Sequence, residues 1–477
     1  MAEYLCSHDS NLQRPLVLMN DLICQIARTI NTDSGGRARA LVVGGYVRDQ
    51  LLGIESPDVD VEVFGMGFSD LKALLETFGE VVAVGQVFGV MRLKGLNVDF
   101  SLPREDNKIG KGHKGFDVKC NPDLSFAQAA RRRDLTINSI GYDPLTGEYI
   151  DPFNGRRDLS SRLLRATDSA HFAEDPLRGL RVAQFIARLE MDADKSLKQL
   201  CRGLDLSEVS PERIYLEFKK LLDKGVKPSS GFGFLLEVGL LNFFPDLAAL
   251  VGVEQDSQWH PEGDVWTHTM MVLDEAALLR PQTGKQSLAF MYGALCHDLG
   301  KAATTHTDTQ GRIRSPAHDA EGVVVSERFL TTLKAPRELI AQVGMLVKYH
   351  LAPFLFISNG AGPKAYRRLA RRLVGVGLDL RVLVLLATAD HFGRMTPDAL
   401  ARTFPEQHDF MLAADRYLES GQAPVDLVRG RDLLARGLAP GPRFGRILAR
   451  CRELQDEGFS EECEQLITRA LVDVGNV

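Results

Sequence analysis

The segment from Ala40 to Gly65 leaves the chain little choice of structure. Ala40-Leu41-Val42-Val43 is an apolar run that stops at Gly44-Gly45, Tyr46–Gly53 has the spacing of a short helix, and Val59–Phe64 returns to a strand pattern. A buried strand, a glycine turn, a helix and a second strand follow from that order. Residues 69–79 read as helical, and two more strand-like runs follow, EVVAVGQVFGVMRL and LNVDFSL. The alternation predicts an α/β unit from about 41 to 155. Inside it, NKIGKGHKGFDV (107–118) has no apolar period and reads as a flexible loop. From about 161 the pattern changes. FAEDPLRGLRVAQFIARL and RELIAQVGMLVKYH carry apolar residues at helical spacing. VEQDSQWHPEGDV, near 252–265, lacks periodicity and marks a domain boundary. With 477 residues, about three domains are expected at roughly 150 residues each. The expected division is a helical lead over 1–40, an α/β head over 41–160, a helical neck and body over 161–255, a helical domain over 256–400 and a helical tail over 401–477.

Asp58 and Asp60 are two apart on the second strand, so their side chains share one face. Adjacent carboxylates repel unless a cation lies between them. Magnesium is the natural partner of oxygen ligands and of nucleotide phosphates, and a pair of such ions activates a hydroxyl and stabilises a leaving pyrophosphate. Gly44 and Gly45 let backbone N–H groups approach a triphosphate at a helix start. Arg48, one turn on, can add a charge-assisted hydrogen bond. Either motif alone is an ordinary turn or acidic edge; in this order they point to phosphoryl chemistry.

Arg131-Arg132-Arg133-Asp134-Leu135-Thr136-Ile137-Asn138 follows the loop, with a Leu-Thr-Ile run that favours extended or buried packing. Pro176 suits the first turn of a helix. Asp175, Arg178 and Arg181 recur at intervals of three, which places them on one helix face. An acceptor beside planar guanidinium groups can read the edge of a base; the plainer reading is an intrahelical ion pair. Between 260 and 391 stand His260, His268, His297-Asp298, His318, His350 and Asp390-His391. Imidazoles and carboxylates on helices form divalent-metal sites that activate water.

The formal net charge of −6 argues mildly against an RNA partner, but the basic residues cluster at Arg131–Arg133, at Arg156, Arg157, Arg162 and Arg165, and at Lys364, Arg367, Arg368, Arg371 and Arg372. Each cluster by itself reads first as a solvated helix face. The seven cysteines are scattered and none has CxxC spacing, which predicts neither zinc nor a redox motif and suits a reducing cytoplasm. No signal peptide and no membrane span are expected from the sequence.

LVVGGYVRDQLLG…DVDVEVFG, RRRDLTINSIGYD, YIDPFNGRRDL and FAEDPLRGLRVAQFIARL resemble the successive motifs of the bacterial class II tRNA nucleotidyltransferases, the CCA-adding enzymes, over roughly residues 41–240. The loop SLPREDNKIGKGHKGF resembles that family's as well. The resemblance implies an α+β protein: a polymerase-β-like α/β head, an all-α neck and body, and an all-α C-terminal part. It implies magnesium at Asp58 and Asp60, with Asp99 as a further carboxylate. Gly45, Arg48 and Arg133 would contact the incoming nucleotide, and Asp175, Arg178 and Arg181 would select C and then A. The implied partners are tRNA, CTP and ATP; the sequence gives no oligomeric state. Gln184 departs from the family, which commonly has arginine there.

WHPEGDVWTHTMMVLD and ALCHDLGK look like the HD phosphohydrolase domain carried by CCA-adding enzymes of enteric bacteria. That resemblance implies a divalent metal of unspecified identity on His268, His297, Asp298 and Asp390, with His318 and His350 assisting or holding a second ion. It also implies hydrolysis of phosphoesters, including 2′,3′-cyclic phosphates. Relatives that add only CC, only A or long A tails share the same motifs; the loop at 107–118 favours full CCA addition. The reading from another class is a chain that is chiefly a metal-dependent phosphohydrolase with an RNA-binding N-terminal half. A nucleotide-sensing regulator is a third. The intact Asp58–Asp60 pair argues against both.

Overall fold

The computed structural model describes residues 21–83, 89–108, 116–418 and 423–475. Two compact units divide the chain: the first comprises residues up to Glu217 together with Gly233–Phe243, and the second Phe218–Phe232 together with Phe244 onward. The division falls inside the stretch 161–255 expected as one helical body, within the helix Pro211–Lys224.

Up to residue 150, the described residues of the first unit form nine short strands: β1 (Arg39–Val43), β2 (Val59–Phe64), β3 (Val81–Ala83), β4 (Val90–Leu93), β5 (Val98–Ser101), β6 (Arg104–Lys108), β7 (Phe116–Cys120), β8 (Gly141–Tyr142) and β9 (Tyr149–Ile150). Seven form one sheet in the order β3-β4-β5-β2-β1-β8-β9. Its pairs are antiparallel except β2 with β5, which is parallel. β6 and β7 pair with each other, outside that sheet. Residues 107–108 and 116–118, expected as loop, therefore belong to a strand pair, because backbone pairing needs no apolar period; residues 109–115 lie outside the described residues. So do residues 1–20 of the expected N-terminal lead.

Apolar alternation gives the sheet its core. Leu41 and Val43 of β1 pack with Phe126 and Ala130 of the helix Phe126–Ala130. That helix begins in a capping box in which Ser125 and Gln128 satisfy each other's backbone N–H. The helix Asp21–Asp33 buries Ile23, Ile26, Ala27 and Ile30. Leu177–Leu189 is the long helix of the later part of the unit. Its Gly179 fits because a Cβ there would lie 2.6 Å from Leu240 and 2.9 Å from Leu204.

Helices dominate from 161 onward as expected, with two small exceptions. Leu163–Leu164 pairs with Asp192–Ala193, and His306–Thr307 pairs with Ile313–Arg314. Both are local devices. Glu190, in a left-handed conformation, ends the helix before the first pair, and Gly311 at φ +78° turns the second.

The second unit gathers the helices Val265–Leu279, Ser287–Cys296, His318–Thr332, Arg337–Tyr349 and Leu380–Phe392. The segment Arg337–Ser358 is long and apolar enough to cross a membrane by composition alone. In this fold one face of it buries Leu339, Val343, Leu346 and Val347, and it carries the buried His350. Further on, Pro442–Asp456 and Cys463–Gly475 close on each other around Ile447, Leu454, Leu466 and Ile467.

Candidate functional site

In the first unit the carboxylates converge through strand register. Asp58 immediately precedes β2 and is exposed, and Asp60 is exposed within it. The parallel pairing of β2 with β5 sets Asp60 directly opposite Asp99. Arg92 on β4 holds Asp99 from the other side, with Nε and Nη2 at 2.5 and 2.7 Å from its two oxygens. Withdrawal of water by the surrounding protein pushes the pKa of Asp60 up. Arg133 opposes that rise, and Asp99, Asp58 and Glu62 add to it. Such a group is one that a cation stabilises.

Gly44 makes the site possible. Its φ of 76° and ψ of −140° suit only glycine, and a Cβ there would sit 3.0 Å from Arg133 Nη1 and 3.4 Å from Asp60 Oδ2. Arg133 is thus brought beside the acidic strand. It is anchored by Glu62, which lies two residues beyond Asp60 on the same face and has a fully buried side chain. Glu62 Oε2 is 3.4 Å from Arg133 Nη2, and Oε1 is 3.2 Å from Arg132 Nη2. Glu62 was not singled out from the sequence; the same alternation that paired Asp58 with Asp60 extends to it.

Arg48 lies elsewhere than the sequence suggested. It is buried, with Nε and Nη2 donating to Asp49 Oδ1 and Nη1 donating to Asn138 Oδ1 at 2.6 Å, and its guanidinium stacks on Phe185. Gly45 lies against it, its Cβ position 3.4 Å from Arg48 Nη2. Asp175 also departs from expectation. It precedes the helix Leu177–Leu189 and accepts from Leu177 N–H, so it does not share a helix face with Arg178 and Arg181. Its other oxygen pairs with Arg213 at 2.8 Å, a partner 38 residues away that periodicity could not indicate.

Arg178 donates to the carbonyls of His171 (2.7 Å) and Arg132 (2.6 Å). Arg181 Nε pairs with Asp134 Oδ2 at 3.1 Å. Burial alone would raise the pKa of Asp134, but Arg181, the Asn138 amide and Arg178 outweigh it, and the group is held below the usual carboxylate range. Both helix arginines therefore fix the segment that carries Arg133. Gln184 is buried on the same helix, and its Nε2 makes no hydrogen bond.

In the second unit the histidines and aspartates meet. His268 Nε2 is 3.1 Å from Asp390 Oδ1 and 3.9 Å from Asp298 Oδ2. His297 Nε2 is 3.2 Å from Asp298 Oδ2, His318 Nε2 is 3.5 Å from Asp298 Oδ1, and His318 and His350 bring their Nε2 atoms within 3.3 Å. The other ring nitrogens are already served. Nδ1 of His297, His318 and His350 bonds to the carbonyls of Ala294, Ser315 and Val347 at 2.9, 2.8 and 2.6 Å. That fixes one tautomer, with the proton on Nδ1 and the Nε2 lone pair facing the cluster.

Gly300 allows the convergence, since a Cβ there would lie 2.1 Å from the His318 carbonyl oxygen. Lys301 and Arg394, which the sequence reading passed over, hold Asp298 Oδ2 at 2.7 Å and both Asp390 oxygens at 3.1 and 3.2 Å. A cavity of about 680 Å³ adjoins the cluster, lined among others by Trp259, His318, Phe354 and Arg394.

These residues suit a divalent metal. His297 Nε2 is fully buried without a hydrogen bond, and converging imidazole lone pairs and carboxylate oxygens are a cation's ligand set. Asp58, Asp60 and Asp99 suit a harder, oxygen-seeking ion.

A mixed sheet with carboxylates aligned on adjacent strands, a glycine turn and an anchored arginine defines a nucleotidyltransferase. Residues 40–165 match the poly A polymerase head domain, and residues 189–250 match the probable RNA- and SrmB-binding site of polymerase A. The multifunctional CCA protein of Pasteurella multocida is 38% identical over 317 residues, covering 65% of this chain and 73% of that one. In fold the chain is similar to the Bacillus stearothermophilus CCA-adding enzyme in complex with CTP (TM-score 0.63, 21% identity, 95% of this chain and 98% of that one). It is likewise similar to the Thermotoga maritima CCA-adding enzyme complexed with tRNA (TM-score 0.57, 16% identity, 97% and 99%). The chain belongs to the family of the CCA-adding nucleotidyltransferases.

Proposed function

We propose that this protein adds C, C and A to the 3′ end of tRNA from CTP and ATP, in the cytoplasm and without a nucleic-acid template. The observation that carries the reading is the register of β2 and β5, which sets Asp60 opposite Asp99 with Asp58 at the strand entry. Magnesium held there supplies Lewis acidity for the attacking hydroxyl and for the leaving pyrophosphate. The protein's own part is positional. The turn at Gly44, which has no Cβ, lets Arg133, held by Glu62, lie beside Asp60, where it would face a triphosphate. The RNA 3′-oxygen attacks the α-phosphorus in line, the bond to pyrophosphate breaks, and the hydroxyl proton is lost to solvent. Asp175, Arg178 and Arg181 select the base in this reading, with the ends of the Arg178 fork fixed on backbone so that the edge presented is rigid.

The test uses three transcribed tRNAs, ending before CCA, after C and after CC, each offered CTP, ATP or both. Ordered growth to CCA followed by arrest is expected. CC alone, A alone or a long A tail would replace the product assignment and keep the site.

A second reading concerns the histidine–aspartate cluster, and the convergence of imidazole nitrogens on the oxygens of the buried Asp298 and Asp390 favours it. His268, His297, Asp298 and Asp390 hold a divalent metal, aided by His318 and His350, and the site hydrolyses phosphoesters drawn into the adjoining cavity. The bound metal supplies an activated water. Hydrolysis of a 2′,3′-cyclic nucleotide that chelator stops and His297→Ala abolishes is expected; equal rates in wild type and variant would end this reading.

A further inference from the structure

We infer that Glu262 is the positioning residue of the histidine–aspartate site: one carboxylate that sets the proton of His268, holds His260 and ties both to the strand of backbone beyond Asp390. The inference rests on the metal-site reading of that cluster.

Glu262 lies in the loop before the helix Val265–Leu279, and its side chain is fully buried. Oε1 forms a hydrogen bond with His260 Nδ1 at 2.8 Å and a charge contact of the same length with His268 Nδ1. Oε2 accepts from the backbone N–H of Met395 at 3.1 Å. Two hydrogen bonds, with His260 and with the Met395 N–H, fix this buried carboxylate in place against the His268 ring.

The consequence for His268 follows from counting protons. Nδ1 faces a Glu262 oxygen at 2.8 Å and Nε2 faces an Asp390 oxygen at 3.1 Å. A neutral imidazole has one N–H and one lone pair, so one of these contacts would set a lone pair against a carboxylate. A cation at Nε2 removes the conflict, provided that the proton stays on Nδ1. Glu262 enforces that choice. The three other histidines of the cluster rest their Nδ1 on neutral carbonyls. His268 alone is backed by a charge, which makes its Nε2 the most electron-rich of the four donors. Through Met395 the same carboxylate also fixes the turn after Arg394, the residue that clamps both oxygens of Asp390. Two ligands on different helices, His268 and Asp390, thereby share one support.

The experiment titrates Co²⁺ into the full chain bearing Asp58→Ala and Asp60→Ala, which removes the carboxylates of the first unit from the measurement. Affinity is read by calorimetry and the ligand field by visible absorption. Glu262→Ala should weaken Co²⁺ binding by about 10- to 100-fold and shift the absorption bands. Glu262→Gln keeps the volume but offers one acceptor oxygen and an N–H₂ that opposes the Met395 donor. It should fall between wild type and Glu262→Ala, with shifted bands in a protein whose circular dichroism is unchanged. Wild-type affinity and bands in both variants would overturn the inference while leaving the metal site intact. A parent chain that binds no Co²⁺, or one that binds it equally after His297→Ala, would instead overturn the metal-site reading itself.

Discussion

The two acidic sites are built on opposite plans. In the first unit Asp58 and Asp60 are exposed and Asp99 is half-buried, and strand register sets Asp60 opposite Asp99. Beyond Arg92 on Asp99 and Arg133 near Asp60, little neutralises them. In the second unit the ligands are buried, each imidazole is fixed through its second nitrogen, and each aspartate has its own cation, Lys301 or Arg394. An exposed site with excess negative charge is completed when metal and triphosphate arrive together. In the metal-site reading proposed above, a buried site with its supports in place suits an ion that stays. The contrast teaches that backbone geometry suffices where the substrate brings charge, and that a second layer of side chains is needed where it does not.

Substitution tests that contrast directly. Asp60→Ala should lower nucleotide addition by at least about a thousandfold, the several kcal/mol that a metal clamp contributes. Its unfolding free energy in urea should stay within about 0.5 kcal/mol of wild type, as for an exposed position, or rise as repulsion with Asp58 and Asp99 is relieved. Asp298→Ala should do the reverse. It leaves Lys301 buried without its partner and should destabilise the second unit by about 3–5 kcal/mol. If both variants unfolded at the same urea concentration, the open and closed plans would not differ as described.

Much of this was legible in the sequence, and what was missed shares a cause. Asp58 and Asp60 follow from a period of two within one strand. The alignment of Asp60 with Asp99 needs the knowledge that β2 and β5 are parallel neighbours, which no local pattern contains. Arg48 looked nucleotide-facing because it follows the glycine turn. A helix turn rotates it inward, where Asp49 and Asn138 meet it. The basic run from Lys364 to Arg372 offered a solvated face or an RNA contact. Instead Arg371 bonds Asp426 and Asp456, and Lys364 bonds Glu457, so that the helix Pro363–Val374 is tied to Pro442–Asp456. Glu262 sat in a stretch read as a boundary and as part of the HD-like motif, but it was not singled out, since a buried carboxylate in a loop has no periodicity to betray it.

Smaller effects sharpen the first half of the comparison. Asp134 is buried, and its depressed pKa means that the folded unit holds this proton more weakly than the unfolded chain does. Its contribution is therefore present above the ordinary aspartate value of about 3.9 and is lost as pH falls through the lower folded value. Asp134→Asn should cost about 1–3 kcal/mol near neutrality, the range of a hydrogen bond to a charged group, and much less in strong acid. A urea series from pH 7 to pH 2 reads the difference. A cost that stayed constant with pH would mean that shape, not charge, holds Arg181.

The smallest predicted change asks whether rigidity on the helix side is what the open site relies on. Arg178 spans two carbonyls, at His171 and Arg132, with the two ends of one planar fork. A lysine in its place keeps the charge but presents a single nitrogen, which cannot hold both oxygens in that geometry. Arg178→Lys should leave the carboxylates untouched, since neither Asp58 nor Asp60 bonds to it. The Arg132–Asp134 segment would be held less firmly, and Arg133 with it. Discrimination between ATP and CTP on a tRNA ending in CC should then fall by about tenfold, or about 1.4 kcal/mol, while overall addition falls less. Unchanged discrimination would separate base selection from this arginine. Discrimination lost together with nearly all activity would show that Arg178 supports the metal-proximal arginine before it supports any choice of base.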